Sequence, residues 1–448
     1  MAALGALLVL APVAAHATPS LVIEVDSGKV LLADDATKPW YPASVTKLMT
    51  AYVTFQALRA GRLTPETLIT VSANAVAQQP SKMGFIAGTK LTVDNALKMM
   101  LVKSANDMAV VLAEGVGGSL PAFVNEMNAA ARDLGMTGTH YENPNGLPDP
   151  GQVTTARDLA VLARALLLEY PEHADLFRIP AIKLGNNVIR SYNKLIDRYP
   201  GADGMKTGFI CASGFNLVAS AHRGDKRILA IVLGTNSGKD RTEQAALLLE
   251  KGFQHSWKIF GAVAPTVDSL KNEGGPPTDM KALICGAKRK TVASEADDDS
   301  GPAPSGFVAA GMGGLGDKVT GASLLVQLPP SMPPVPVWVG PFPDQAALDA
   351  AYPRPVEKKK PAAAAAGKPK KTASQTPAQT TIVIDPANPD AAPAAKPAAK
   401  PAAKPAAKPA AKPVATTAKP VGKPAAKPVA KPAPAPIYAP VPAPTPVQ

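Results

Sequence analysis

A chain of 448 residues with 46% apolar side chains is long enough for two or three domains with sizeable cores. Its formal charge of +12 sits at one end: residues 356–448 hold fifteen lysines against Glu357, Asp385 and Asp390, so the remainder is near neutral. The basicity points to an electrostatic tether in a tail and excludes any argument from net charge about the chemistry of the folded part.

Residues 1–17, MAALGALLVLAPVAAHA, form an apolar run ending in Ala15-His16-Ala17, the small-x-small pattern of a signal-peptide cleavage site. Cleavage after Ala17 and export to the periplasm or cell envelope are expected. The run is too short to span a membrane, and Pro12 breaks it. No Lys or Arg precedes its apolar core, so the natural start is expected upstream.

Residues 21–25 and 29–33 alternate around Asp26-Ser27-Gly28 and read as a hairpin. A helix is expected after Pro42, opening with Ser44-Val45-Thr46-Lys47. Residues three apart share a helical face, so the Ser44 hydroxyl and the Lys47 amine can meet. The amine serves as a base only when neutral, and burial beside positive charge lowers a lysine pKa from about 10.4. A helix start also offers backbone N–H groups to an oxyanion. By itself the spacing occurs by chance in most long proteins and reads as an ordinary capped helix.

Helical periodicity returns in 93–102 and 107–114, with Ser104-Ala105-Asn106 in the short connection. The tripeptide reads either as an N-cap or as a second hydroxyl that relays a proton, with the Asn106 amide holding a substrate peptide group. Lys206-Thr207-Gly208 follows the turn-like Gly201-Ala202-Asp203-Gly204 and precedes a strong hairpin over 215–221 and 227–233. On an edge strand, a lysine and a glycine guard against aggregation or let a peptide pair alongside while Lys206 and Thr207 meet its carboxylate. Arg241 opens an amphipathic helix reaching about Phe260, and an arginine in a first helical turn reads as a solvated surface residue. Strands, many helices, then strands and a closing helix suit an α+β fold: one antiparallel sheet covered by helices, its first and last strands adjacent.

After Ala262 the pattern decays, and residues 263–355 read as a linker or a poorly defined small region, with 335–351 able to fold locally. From about Pro393 to Lys431 the chain repeats Pro-Ala-Ala-Lys, which has no apolar face to bury. The tail over 356–448 is expected to be a disordered, polyproline-stiffened spacer of about 3.1 Å per residue that binds anionic wall or membrane surfaces. Because the chain is exported, nucleic acid is not an expected partner.

The five histidines, at 16, 140, 173, 222 and 255, form no metal-ligand spacing, and no Gly-x-Ser-x-Gly elbow occurs. No metal or cofactor is expected, and a nucleophile here must be activated without histidine. Cys211 and Cys285 are an even pair for which a disulfide is permitted in an oxidising compartment. Two buried thiols fit as well.

Ser-x-x-Lys opening a helix, Ser-x-Asn between helices and Lys-Thr-Gly leading into a strand occur together and in this order. With them stand Tyr41-Pro42-Ala43, Asp107, Asn143-Pro144-Asn145-Gly146-Leu147, Thr155-Ala156-Arg157-Asp158 and Asp203-Gly204-Met205. On these residues, the chain from about Ser20 to Phe260 resembles the low-molecular-mass D-alanyl-D-alanine carboxypeptidases, serine peptidases of the penicillin-binding type with a β-lactamase/transpeptidase-like fold. A catalytic domain over 18–262 follows. The resemblance implies that Ser44 is acylated by the penultimate D-alanine of a peptidoglycan stem peptide, that Lys47 takes its proton, and that Ser104 passes it to the departing D-alanine. It implies an oxyanion hole from the N–H groups of Ser44 and Phe209, a carboxylate site from Lys206, Thr207 and Arg241, room for the peptide at Gly208, and acylation by β-lactams.

The chain departs from that pattern in three places. Ala105 stands where glycine is frequent; Phe209-Ile210-Cys211 replaces a stretch that often carries Thr or His; and the β-rich domain and amphipathic helix that relatives commonly add are not recognisable, so membrane attachment is not implied. A D,D-endopeptidase using the same residues is the alternative reading. A β-lactamase is disfavoured because no Glu-x-x-Leu-Asn lies between Ser104 and Lys206, and a non-catalytic wall-binding protein because Ser44, Lys47, Ser104 and Lys206 are intact.

Overall fold

The alternation around Asp26-Ser27-Gly28 closes as an antiparallel pair, β1 (Ser20–Glu24) and β2 (Val30–Asp34), with Gly28 at φ +68°. The computed structural model describes residues 18–255, 264–286, 295 and 319–341. The expected signal peptide over 1–17 and the tail over 356–448 lie outside the described residues.

A 3₁₀ turn over Ala43–Thr46 leads into α1 (Lys47–Arg59), which is buried from Lys47 through Phe55 and has no polar face. It is the central helix, and that explains why its sequence shows no 3.6-residue period. Next come β3 (Leu68–Thr70), α2 (Ala73–Val76) and β4 (Lys90–Thr92), with β3 and β4 forming a small antiparallel ribbon. Thr92 caps α3 (Val93–Val102), which α4 (Asn106–Gly117) follows as the interrupted periodicity predicts. Ser119 caps α5 (Leu120–Asp133), and Thr155 caps α6 (Ala156–Glu169). A hairpin of β5 (Ala181–Leu184) and β6 (Asn187–Arg190) precedes the main strands, β7 (Ala202–Ile210), β8 (Gly214–Arg223) and β9 (Lys226–Thr235). Then follow α7 (Gly238–Gln254), α8 (Lys281–Ile284) and β10 (Val335–Val337).

The main sheet has the order β2-β1-β9-β8-β7, so the first strand lies beside the last, and β7 is an edge. Period-two alternation divides the side chains of β1, β8 and β9 between two cores. Leu21, Ile23, Val218, Leu229 and Ile231 face the helical body around α1, α4 and α6. Val22, Leu217, Ala219, Ile228 and Ala230 face Ala245, Ala246, Leu248 and Leu249 of α7. This is the α+β arrangement expected, with helices on both faces.

Two expectations need correction. The closing helix starts at Gly238 rather than Arg241, because the Ser237 hydroxyl accepts the Asp240 N–H, and it ends at Gln254; residues 256–263 lie outside the described residues. Residues 263–355 are not simply a linker. Val267, Met280, Ile284 and Val337 are buried in the main core, Thr266 bridges Lys29, the Met280 N–H donates to Ala212 O, and β10 pairs in parallel with β5. These stretches are straps that place single apolar residues onto a surface already built, each such burial worth about 1.5–3 kcal/mol. A strap has no period to detect. Of the 335–351 piece, only Val335–Val337 forms a strand, and 342–351 lies outside the described residues.

Candidate active site

Ser44 lies in the 3₁₀ turn before α1, where side chains three apart eclipse. Ala43, just before it, holds φ +49°, a left-handed conformation that costs an alanine about 1–3 kcal/mol. Two groups hold the turn in place. Asn216 on β8 donates its amide to Tyr41 O at 2.9 Å and to Pro42 O at 3.1 Å. Gly146 comes so close that a Cβ there would lie 1.8 Å from Ala43 O.

Lys47 is fully buried, and its Nζ meets Ser44 Oγ at 2.9 Å, Asn106 Oδ1 at 2.7 Å and Asn145 O at 2.6 Å. Burial, seconded by the nearby Lys206 charge, drives its pKa well below the ordinary lysine value, against the opposing pull of Glu295 and Asp107. A neutral amine keeps two N–H donors and one lone pair. With the donors on Asn106 and Asn145, the lone pair is left for the Ser44 proton.

Ser104 is buried at φ +61°. It does not cap α4, whose N-cap is Ala105 with no side-chain bond. Its hydroxyl instead accepts a 2.9 Å hydrogen bond from Lys206 Nζ, which also donates to Thr207 O at 2.9 Å. Burial pushes the Lys206 pKa down to about 8, helped by Arg241 and resisted by Glu295.

The expected role of Asn106 is corrected. Its amide N–H groups go to Gln79 O at 2.9 Å and Pro80 O at 3.1 Å, and its Oδ1 accepts from Lys47, so it orients the base and the 79–81 loop rather than reaching for a substrate. Asp107 braces the same loop by accepting the N–H groups of Met83 and Gly84 at 3.0 and 2.9 Å.

On β7, Gly208 abuts the Ser44 turn: a Cβ there would stand 2.9 Å from the N atoms of Ser44 and Val45. The Ile210 N–H donates to Ser213 Oγ and the Ile210 carbonyl accepts the Ser213 N–H, so both backbone groups of Ile210 point toward β8. By the alternation of an antiparallel ladder, the Phe209 N–H therefore faces the open edge, on the side of Ser44. Thr207, buried on the same strand, completes that edge beside Lys206. No strand pairs with the outer edge of β7 among the described residues.

Arg241 is not a solvated first-turn residue. It is 0% exposed, its Nη1 lies 3.4 Å from Asn216 O, and its charge acts on Lys206. Asn145, Asn216 and Glu295 received no role from the sequence. Asn145 and Asn216 act largely through backbone partners, and Glu295, 3.8 Å from Arg241, comes from the stretch without a pattern. Cys211 and Cys285 form a disulfide, which decides between the two readings of the cysteines. Among the described residues, no group of three or more His, Cys, Asp or Glu is placed to hold a metal ion.

The site thus holds a hydroxyl against a depressed lysine, a second hydroxyl against another lysine, two facing N–H donors and a cationic end. Residues 8–237 match the family model described as D-alanyl-D-alanine carboxypeptidase. The chain is similar to the carboxypeptidase DacD of Salmonella typhimurium, 36% identical over 251 residues, covering 54% of this chain and 64% of that protein. It is also similar to DacB2 of Mycobacterium tuberculosis, 34% identical over 242 residues and 81% of that protein. The match therefore spans just under two thirds of the DacD relative's own length. Among solved structures, penicillin binding protein 6B of Escherichia coli aligns with a TM-score of 0.50 at 35% identity, covering 52% of this chain and 76% of that one. DacD of Francisella tularensis aligns at 0.52 and 29% identity, covering 56% and 73%.

Proposed function

The chain belongs to the D-alanyl-D-alanine carboxypeptidase family, and from that premise we propose that it removes the terminal D-alanine from peptidoglycan stem peptides through a Ser44 acyl-enzyme. The observation that carries this is the 2.9 Å contact between Ser44 Oγ and a buried Lys47 amine whose pKa is depressed. Lys47 accepts the Ser44 proton as Oγ attacks the carbonyl of the penultimate D-alanine. The oxyanion forms between the N–H groups of Ser44 and Phe209. Ser104, held by Lys206, carries the proton to the leaving amine, the peptide bond breaks, and D-alanine departs. Water then hydrolyses the ester and restores the Ser44 hydroxyl. Lys206, Thr207 and Arg241 receive the terminal carboxylate of the substrate. A β-lactam presents a carboxylate and a strained amide in similar positions, so it acylates Ser44 and stays.

The reading extends to place. Export through the 1–17 leader puts the chain in the periplasm or envelope, and the lysines of 356–448 hold it against anionic wall or membrane surfaces.

Mass spectrometry of the full chain tests the reaction. After incubation with a peptide ending in D-Ala-D-Ala, the expected result is loss of one alanine, with a penicilloyl adduct in a parallel sample, both absent from Ser44→Ala. An adduct without alanine release redirects the search to cross-linked substrates. Absence of both signals overturns the enzymatic reading.

A further inference from the structure

Glu295 belongs to no helix or strand, yet its carboxyl group sits within the site. Its side chain is 13% exposed, and Oε1 lies 3.8 Å from Arg241 Nη1, buried and without a hydrogen-bond partner among the described residues. Its negative charge acts on Lys206, on Lys47 and on Tyr192, raising the pKa of each. Tyr192 hydrogen-bonds Ser81, whose carbonyl accepts the Asn106 N–H, so Glu295 lies between that wall and the Lys206–Arg241 wall. A carboxylate near both cations, whose Oε1 has no hydrogen-bond partner among the described residues, stands where an incoming terminal carboxylate is received.

The chain is pinned nearby. Cys285, ten residues before Glu295, is bonded to Cys211, two residues beyond Phe209 and just past the end of β7. Ten residues reach at most about 35 Å, so the bridge keeps Glu295 within range of the cleft at a high local concentration.

We propose that Glu295 is a built-in competitor for the carboxylate subsite, a side-chain mimic of the substrate's C-terminus that must be displaced before a peptide can bind. This rests on the carboxypeptidase reading of the site. Two carboxylates cannot share Lys206 and Arg241 without repulsion, so occupancy by Glu295 and by substrate exclude each other. A purely structural counter-ion would instead stabilise the two buried cations and leave substrate affinity unaffected or weaker on removal. The two roles therefore differ in the sign of the change in KM.

The test compares the full-length wild type with Glu295→Gln, which keeps the shape and removes the charge, and with the exposed-site control Glu66→Gln. Steady-state hydrolysis of diacetyl-L-Lys-D-Ala-D-Ala and the second-order rate of Ser44 labelling by fluorescent penicillin are both measured. If Glu295 occupies the subsite nine tenths of the time, KM falls about tenfold, kcat is unchanged and labelling accelerates by the same factor. An unchanged or raised KM in a variant that labels to full stoichiometry overturns the proposal. Should Glu295→Gln fail to fold, Glu295→Asp decides: its charge sits one methylene farther back, so KM must fall part of the way, and an unchanged KM sinks the idea. A wild type that labels with penicillin but releases no alanine would defeat the carboxypeptidase reading alone, because the labelling rates still judge Glu295. A wild type that does neither removes both.

Discussion

Lys206 Nζ donates a 2.9 Å hydrogen bond to Ser104 Oγ, joining the edge strand to the interhelical turn across 102 residues of sequence. The bond leaves the Ser104 hydroxyl proton free to point at a leaving amine, and the left-handed backbone at Ser104 aims it. Ser104→Ala should therefore lower kcat/KM about 10²- to 10³-fold, within the range of a lost proton relay, while penicillin still labels Ser44 slowly. Retention of full turnover in that variant would remove Ser104 from the proton path.

In the proposed mechanism the two lysines set opposite limbs of a pH profile. Lys47 works as the free base, so kcat/KM rises as pH passes through its depressed pKa. Lys206 works as the cation, so the rate falls again as it loses its proton near pH 8. Because the lysines interact, the limbs belong to the pair. Glu295 helps to hold the Lys206 proton, and Glu295→Gln should move the alkaline limb to lower pH. A wild-type profile still flat at pH 10 would show that Lys206 need not be charged.

Gly208 and Gly146 press on the nucleophile turn from two sides, and alanine at each should fail differently. At Gly208, the Cβ meets the N atoms of Ser44 and Val45 at 2.9 Å, so Gly208→Ala displaces an oxyanion donor. Acylation should slow about 10²-fold or more, with about 1–3 kcal/mol lost in stability. At Gly146, φ is +83° and the Cβ would overlap Ala43 O, adding about 1–3 kcal/mol of backbone strain to a similar packing cost. Thermal melts beside labelling rates separate them: Gly208→Ala loses mainly rate, Gly146→Ala mainly Tm.

The Cys211–Cys285 bridge spans 74 residues of sequence, a long loop for which chain entropy sets the gain near the upper end of about 2–4 kcal/mol. The Cys211→Ser, Cys285→Ser double variant should melt roughly 5–15 °C lower. If the bridge also presents Glu295, its KM should fall below that of the wild type.

Truncation after residue 355 should release the protein from envelope fractions at low salt and leave turnover on a soluble peptide unchanged. Sedimentation identical to that of the full chain would exclude the lysine-rich segment as the tether.

How much could be read in advance depended on whether the information resides in side-chain pattern or in backbone. Alternation exposed β1, β2, β8 and β9, and a gap in helical period located Ser104 between α3 and α4, because both periods follow from which side chains face a core. Ser44, Lys47 and Lys206 were legible through type and spacing. The Asn145 carbonyl on Lys47 was not, since any residue supplies a carbonyl. Asn106 was found and its role misread, because only the fold shows its amide already committed to Gln79 and Pro80. The straps carrying Val267, Met280, Ile284 and Val337 had no period at all. Glu295 stood among other acidic residues with nothing to distinguish it.

The covalent link between Cys211 and Cys285 makes a closed ring of the chain that includes β8, β9 and α7. A pull on the C-terminal side of Cys285 does not travel through that ring once three attachments among the described residues have yielded: the β10 ladder, the N–H bonds of Val326 and Leu328 to Arg198 and Asp197, and the packing of Leu324 and Leu325 beside α7. The force passes across the bridge to Cys211, at the end of β7, and by-passes α7 and the two inner strands. Once those contacts have opened, mechanical load borne by the far end of the chain would therefore be felt at the strand carrying Lys206, Thr207 and Gly208, while the elements inside the ring go slack.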